Sequence, residues 1–364
     1  MKKHIYIAAT SKHIGKTTTT LGLVGGLLTL GRNVGYCKPV GQQFLDINNL
    51  RVDKDTLLFS DLIDFQLDPD IHSPVILGRG ATSMYLDAPE NFDLESRIIN
   101  AATKLDERHE FVIFEGTGHP GVGSVADVSN ARVAKILNAG VVMVVEGGIG
   151  NTIDRLNLSL ALFREEQVPV IGVIINKIRP DKIDKIGHYV GKWLDKQNLP
   201  LLGLVPYEQS LAYPLMKTVS KAISGKIIHG PQFMENKVED VIAGSLVEYK
   251  ELKKSEDLCL IVSIRSLNNA ILKIAGMSST LGLVNSPLSG IVITGEGEVE
   301  ETAMNYIKQH NLPVVQTNFD TYEAVIKISR IEVKINRSTP WKIRRAIELM
   351  GEHVDLERIM EYVK

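Results

Sequence analysis

Residues Thr10-Ser11-Lys12-His13-Ile14-Gly15-Lys16-Thr17-Thr18 follow a short apolar run, Ile5 to Ala8. Gly15-Lys16-Thr17 is the closing half of a phosphate-binding loop, whose full pattern is Gly, four residues, then Gly-Lys-Ser/Thr. Thr10 stands where the first Gly of that pattern would be. Backbone N–H groups at the start of the helix that Thr17 opens form a positive cradle for phosphate. Lys16 is then expected to reach the β- and γ-phosphates, and the Thr17 hydroxyl to ligate Mg²⁺. The cofactors this chemistry calls for are ATP and Mg²⁺.

Further groups with usable chemistry fall at the ends of apolar runs. Lys38, in Lys38-Pro39-Val40-Gly41-Gln42, ends the second run and is expected to point its ammonium toward a γ-phosphate or an anionic substrate. The alternative is a snorkelling surface lysine. Asp53 and Asp55 follow; a carboxylate there either holds Mg²⁺, for which Asp55 is the candidate, or caps a helix. Phe111-Val112-Ile113-Phe114-Glu115-Gly116 is an apolar run ending in an acid, the form in which a carboxylate positions Mg²⁺. A carboxylate ending a buried strand is costly unless a cation or donors satisfy it; a cap on the next turn is the bland reading of Glu115. His119, in the glycine-rich stretch that follows, carries no assigned role. Asn176 ends Val173-Ile174-Ile175-Asn176 and offers the acceptor and donors that match an adenine edge, or forms a turn. Pro206, ending the next apolar run, is placed against the base.

The elements that must position these groups are legible in outline. Ile5–Ala8, Val34–Lys38, Phe111–Glu115, Val141–Glu146, Val170–Asn176 and Leu201–Val205 read as strands. Thr17–Leu30, Val125–Leu137, Ile153–Glu166 and Ile183–Lys196 read as helices. Near-continuous apolar strands separated by helices predict an α/β fold, a parallel sheet of the P-loop NTPase type with helices on both faces. Right-handed crossovers then bring the strands' carboxyl ends to one edge. After Tyr213-Pro214 the rhythm changes, and a second, smaller α/β domain is expected. Its predicted elements are strands Leu258–Ser263 and Gly290–Thr294, helix Glu298–Gln309 and strand Pro313–Gln316. Domain boundaries are expected at 1–210 and 211–338. A helical segment over 339–364 follows, with Ser338 or Thr339 as N-cap before Pro340.

Composition narrows the function classes. The chain has 364 residues, 44% hydrophobic and 23% charged, with a net charge of −2. That length favours two domains, and the interspersed charges make no case for nucleic acid or an anionic membrane. Cys37 and Cys259 are the only cysteines, which excludes a disulfide scaffold and fits a reducing compartment. The start, Met1-Lys2-Lys3-His4, has no apolar region before a cleavage site, and no apolar run approaches a membrane span. A cytoplasmic protein is expected.

Loop, Lys-Pro-Val, Asp, Glu-Gly and Asn-Lys occur in the order and spacing of dethiobiotin synthetase, which residues 1–210 resemble; Ala9-Thr10 stands where that family commonly carries Gly-Thr. The whole chain resembles the N-terminal region of long bacterial phosphotransacetylases, a dethiobiotin-synthetase-like domain followed by a DRTGG domain. Leu288–Gly295 and Asp320-Thr321-Tyr322-Glu323-Ala324 support this, although no DRTGG pentapeptide is present. The chain ends near the point where an acetyl-transferring domain would begin, so phosphotransacetylase activity is not expected. The resemblance implies a nucleotide-responsive regulatory protein, homo-oligomeric, with a protein partner reached through the DRTGG-like domain. The alternative it implies is an ATP-dependent ligase or carboxylase. There Lys16 and Lys38 act as catalytic cations on a transferring phosphoryl group, Thr17, Asp55 and Glu115 organise Mg²⁺, and a small acid or amine is the second substrate.

Overall fold

The computed structural model describes residues 4–42, 44–47, 50–244, 252, 257–331, 333–337 and 339–363. The chain divides into two compact units, one comprising Met1–Glu208 with Ile335–Lys364 and the other Gln209–Lys334.

The first unit is built on β1 (His4–Ala9), β2 (Val34–Cys37), β3 (Phe111–Glu115), β4 (Gly140–Glu146), β5 (Val170–Ile178) and β6 (Leu201–Pro206). These pair in parallel in the order β6-β5-β4-β1-β3-β2. Strands buried on both faces need apolar side chains at every position, and Ile5, Tyr6, Ile7 and Ala8 are all buried. Alternation sends Tyr6 and Ala8 into the core formed with α3 (Leu94–Asp106), α4 (Asn130–Ile136), α5 (Gly150–Glu165) and α6 (Ile183–Lys196). The strand-to-helix order puts α1 (Lys16–Thr29) directly after β1 and α2 (Lys54–Ile63) after a hairpin of Phe44–Ile47 with Leu50–Asp53.

The predicted strands occur within two residues of their expected ends. The expected helix over Val125–Leu137 does not run unbroken. Ser124–Ala126 is a single 3₁₀ turn, Asp127 adopts a left-handed φ of 53°, and α4 starts afresh where the Ser129 hydroxyl accepts from the Arg132 N–H. A side-chain cap inside an apolar run thus overrides the periodicity that spans it. Helix α2 starts where the sequence offers a helix cap at Asp53 or Asp55, with Asp53 as the N-cap; α3 carries no expectation from the sequence and is built on an Asp93 cap and one buried stripe, Ile98, Ala101, Ala102 and Leu105.

The second unit holds α7 (Met216–Ala222), β7 (Lys226–His229), β8 (Asp240–Ala243), β9 (Leu258–Ser263), α8 (Leu267–Thr280), β10 (Leu288–Thr294), α9 (Glu301–Gln309), β11 (Val314–Thr317) and α10 (Thr321–Ser329). Its sheet order is β7-β11-β10-β9-β8, antiparallel only at β7. The expected strands and helix of this block are present, the helix beginning at Glu301 rather than Glu298.

Beyond the second unit the chain returns to the first as α11 (Pro340–His353) and α12 (Leu356–Glu361). Ser338, one of two expected caps, lies outside the described residues. Thr339 does occupy the N-cap position, but its hydroxyl donates to the Asn336 carbonyl and caps nothing in α11. Helix α11 packs on α1 through glycine: a Cβ built on Gly22 would lie 2.2 Å from Met350 Cγ and 2.5 Å from the Ala346 carbonyl oxygen. Only a residue without a side chain lets the two backbones approach this closely. Gly22→Val is expected to destabilise the protein by about 1–3 kcal/mol through overpacking. Gly191→Ala, on α6 with no atom within 4 Å of a built Cβ, is expected to stabilise it by up to about 1 kcal/mol through helix propensity. Urea unfolding of the two variants measures both effects; equal stability of Gly22→Val and wild type would contradict the α1–α11 packing.

Candidate functional site

The phosphate-loop sequence joins β1 to α1 and is held open by its backbone. Thr10 continues from β1, its N–H donating to the Val144 carbonyl. Ser11 donates to the Lys12 carbonyl, and His13 takes a left-handed φ of 62°. Gly15, at φ 95°, is the N-cap of α1. A Cβ there would come within 2.3 Å of Asn176 Nδ2, so glycine is required both by conformation and by space. No side chain caps α1 and no acid occupies its first turn, whereas Asp53, Asp93 and Ser129 cap α2, α3 and α4. The start of α1 therefore keeps the partial positive charge of a helix N-terminus for an external anion. Thr10 Oγ1 is buried without a hydrogen-bond partner among the described residues.

The side chains around the loop converge. Lys16 Nζ donates to the Gly118 carbonyl at 3.1 Å. Thr17 Oγ1 donates to Glu115 Oε1 at 2.7 Å, and the Tyr36 hydroxyl donates to Glu115 Oε2 at 3.2 Å. Lys38, 6% exposed, donates to Asp55 Oδ2 and lies 3.2 Å from Asp53 Oδ1 and 3.9 Å from Glu115 Oε1. Snorkelling is thus not its role: it is a buried cation among three carboxylates. Burial by itself would lower the Lys38 pKa, but Glu115, Asp55 and Asp53 outweigh it and hold the ammonium well above its ordinary value. Burial pushes both Glu115 and Asp53 up, with Lys38 pulling each back. Asp53 fulfils the bland reading as well, since Oδ1 caps α2 by accepting from the Asp55 N–H.

Asn176 reaches the loop from β5. Its Nδ2 donates to the Ile14 carbonyl at 2.9 Å and its Oδ1 accepts from the Lys177 N–H at 2.9 Å. One N–H and one lone pair of the amide are left over, the minimum a base edge needs. Lys177, at φ 58°, extends Nζ to the His13 carbonyl. Pro206 sits at the end of β6 in register with Ile178, two residues beyond Asn176 on the neighbouring strand. Thr18 lies within the first turn of α1.

Some contributing groups had no expectation attached. Tyr36 is inconspicuous in an apolar strand, yet its hydroxyl completes the surroundings of Glu115. Asn130 shapes the glycine-rich loop: Tyr6 donates to its Oδ1, and its Nδ2 donates to the carbonyls of Thr117 and His119. The Thr117 N–H donates to the same Oδ1. That brace aims the Gly118 carbonyl at Lys16. Nothing in the spacing of Tyr6, Asn130 and Gly118 announces it. His119 Nδ1 accepts from the Gly121 N–H, a turn-stabilising contact.

Hard oxygen donors with one or two carboxylates, completed by phosphates and water, are what Mg²⁺ takes. Thr17 Oγ1, Glu115 and Asp55 supply such a set. Among the described residues no three His, Cys, Asp or Glu side chains form a self-contained metal site, so the ion would depend on phosphate oxygens to complete its shell.

Residues 3–214 match the AAA domain family (AAA_26), and residues 218–331 match the DRTGG domain. A phosphate acetyltransferase of Synechocystis is 22% identical over 381 residues, covering 100% of this chain and 52% of that protein. An ATP-dependent dethiobiotin synthetase, BioD, of Clostridium kluyveri is 29% identical over 194 residues, covering 51% of this chain and 80% of that protein. The chain spans about half the length of the phosphate acetyltransferases it matches. The resemblance read from Lys38-Pro39-Val40, Glu115-Gly116 and Asn176-Lys177 is borne out by these matches. The solved MinD cell division protein of Aquifex aeolicus is 14% identical and covers 57% of this chain and 84% of its own, at a TM-score of 0.38. No helix among the described residues is long and apolar enough to cross a membrane.

The Lys38 cluster makes a checkable prediction about stability. Lys38→Met leaves buried carboxylates without their cation, at an expected cost of about 3–5 kcal/mol near neutral pH. Raised folded-state carboxylate pKa values mean that the folded protein binds protons more readily than the unfolded chain. Their contribution is fully present below the unfolded value, about 4, and is lost as pH rises through the folded value. The deficit of Lys38→Met relative to wild type should therefore shrink as the pH of urea unfolding is lowered from neutral toward about 5. A deficit independent of pH would mean that the carboxylates are not what the lysine balances.

Proposed function

The chain belongs to the AAA domain family (AAA_26), and from that premise we propose that it binds MgATP at the β1–α1 loop and acts as a nucleotide-responsive regulatory protein. The observation that carries the nucleotide reading is the convergence of an uncapped α1 N-terminus, Lys16 and the Thr17–Glu115 contact on one sheet edge.

Lys16 donates to the Gly118 carbonyl, an uncharged acceptor. A phosphate is a stronger acceptor for an ammonium than a carbonyl is, so a bound phosphate would draw Lys16 from the Gly118 carbonyl. Bound Mg²⁺ would supply positive charge against the phosphates, held by Thr17 with Glu115 and Asp55. The Thr17 hydroxyl, which donates to Glu115 here, has lone pairs to offer a cation. Asn176 and Lys177 donate to the loop's own carbonyls, Ile14 and His13, and so offset acceptors that would repel an anion. The regulatory part rests on the attachment of a DRTGG unit to this site; nucleotide occupancy is proposed to change how the chain associates with itself or with a protein partner.

Lys38 favours a second reading. A buried ammonium at the carboxyl end of β2 is placed to stabilise charge on a transferring phosphoryl group. That role fits ATP-dependent activation of a small acid or amine, the chemistry expected of a dethiobiotin-synthetase relative.

Isothermal titration with MgATP and MgADP, phosphate-release assays and small-angle scattering separate these readings. Wild type is expected to bind MgATP, and Lys16→Ala to weaken binding at least about 100-fold, close to 3 kcal/mol, with an unchanged unfolding midpoint. Unaltered affinity in that variant would remove the site assignment. Binding with negligible turnover and a nucleotide-dependent scattering profile supports regulation. Turnover stimulated by an amine or carboxylate supports the second reading.

A further inference from the structure

The second unit has a crevice of its own, and its position follows from the strand alternation of its sheet. Leu260, Ile291 and Val314 point to one face, where α9 buries Ala303 and Ile307. Cys259, Val292 and Val315 point to the other, where α10 buries Ala324 and Ile328. Helix α9 follows β10 and α10 follows β11, and these strands are parallel neighbours. Adjacent strands whose outgoing connections leave to opposite faces open a gap at their carboxyl ends, the place where open α/β sheets bind ligands.

A cavity of about 400 Å³ lies at that gap, within the size range of small-molecule sites. Glu296 and Gly297 line it from the β10–α9 connection, Gln316 and Asn318 from the end of β11, and Ser224 and Lys226 from the entry to β7. Its floor is hydrogen-bonded to the surrounding backbone. Thr317, also lining it, is 3% exposed and donates its hydroxyl to the Ile223 carbonyl at 2.9 Å. Gln316 Nε2 donates to the Gly295 carbonyl at 2.8 Å and ties the two strand ends together. The walls are mostly polar, and no aromatic ring is among the lining residues to stack a nucleobase. Lys226 and Glu296 bring opposite charges to one cavity, yet neither takes part in an ion pair among the described residues.

We propose that this cavity is a binding site for a small zwitterionic metabolite of the α-amino acid class. Its carboxylate pairs with Lys226 and its ammonium with Glu296, while the Asn318 and Gln316 amides hydrogen-bond the remaining polar atoms. A ligand carrying both charges pairs with both side chains at once. A nucleotide would satisfy Lys226 only, would set phosphate against Glu296, and would find no platform for its base. The site is separate from the phosphate loop in sequence and in unit, and it stands whether or not the chain binds ATP.

The test titrates the intact chain with glycine, L-serine and L-aspartate, using calorimetry and saturation-transfer NMR, with L-lactate and ethanolamine as single-charge probes. At least one of the three amino acids should bind saturably and more tightly than either single-charge probe. Lys226→Ala should weaken that binding about tenfold or more. Glu296→Gln should abolish the preference for the amino acid over lactate. Both side chains are exposed, so unfolding midpoints should match wild type, and Lys16→Ala should leave amino acid binding unchanged while nucleotide binding fails. Absence of saturable binding by all three amino acids, tighter binding of lactate, or wild-type affinity in both cavity variants would each overturn the proposal.

Discussion

The ammonium of Lys38 and the carboxylate of Glu115 set the constraint around which the first unit is arranged. Both lie at the ends of strands buried on both faces, where water cannot screen them. Removing either ion from water costs several kcal/mol unless a partner of opposite sign is fixed in place. Asp53 and Asp55 are brought to the same point by the N-terminus of α2, and Tyr36 and Thr17 supply hydroxyl donors to Glu115. The ends of β2 and β3, the start of α2 and the start of α1 are thus held to one another by charge and hydrogen bonds rather than by apolar packing alone. Lys38 is the cation among the three carboxylates, and Lys16 adds a second positive charge acting on Glu115.

Rigidity of the phosphate loop has a different source. Gly15 must be glycine because Asn176 occupies the space of its Cβ. The same Asn176 amide and the Lys177 ammonium bind loop carbonyls. Acceptors that would repel an anion are occupied by donors from β5, and the donors at the head of α1 are left for the ligand. Asn130, linking Tyr6 to the Thr117 and His119 carbonyls, performs the equivalent task for the opposing loop. Preorganisation of this kind lowers the entropy lost when a ligand binds.

The two units use one principle twice. In each, a mostly parallel sheet sends its connections to both faces, and the groups at the strands' carboxyl ends carry the polar chemistry. In the first unit those groups include a glycine-lysine-threonine turn and buried ions. In the second they are exposed charges and amides around a glycine-containing connection, Thr294-Gly295-Glu296-Gly297.

Local patterns in the sequence determined the six strands of the first unit's parallel sheet, its phosphate-loop turn, and the positions of Lys38, Glu115 and Asn176 at or within two residues of strand ends. Short continuous apolar runs alternating with helical patterns fit strands of a covered parallel sheet, and such a sheet collects its carboxyl ends on one edge. The family resemblance followed from the same spacings. The tertiary structure decided what each side chain does there. Whether Asp53 caps α2 or faces Lys38 has the answer that it does both, which no local pattern expresses. Tyr36, Asn130 and Lys177 enter through contacts across at least 13 positions of chain, so no periodicity reveals them. The break at Asp127 and the return of α11 onto Gly22 belong to the same class. Backbone conformation and hydrophobic period are short-range properties, whereas the pairing of buried charges and the close approach of helices depend on which distant segments the fold makes neighbours.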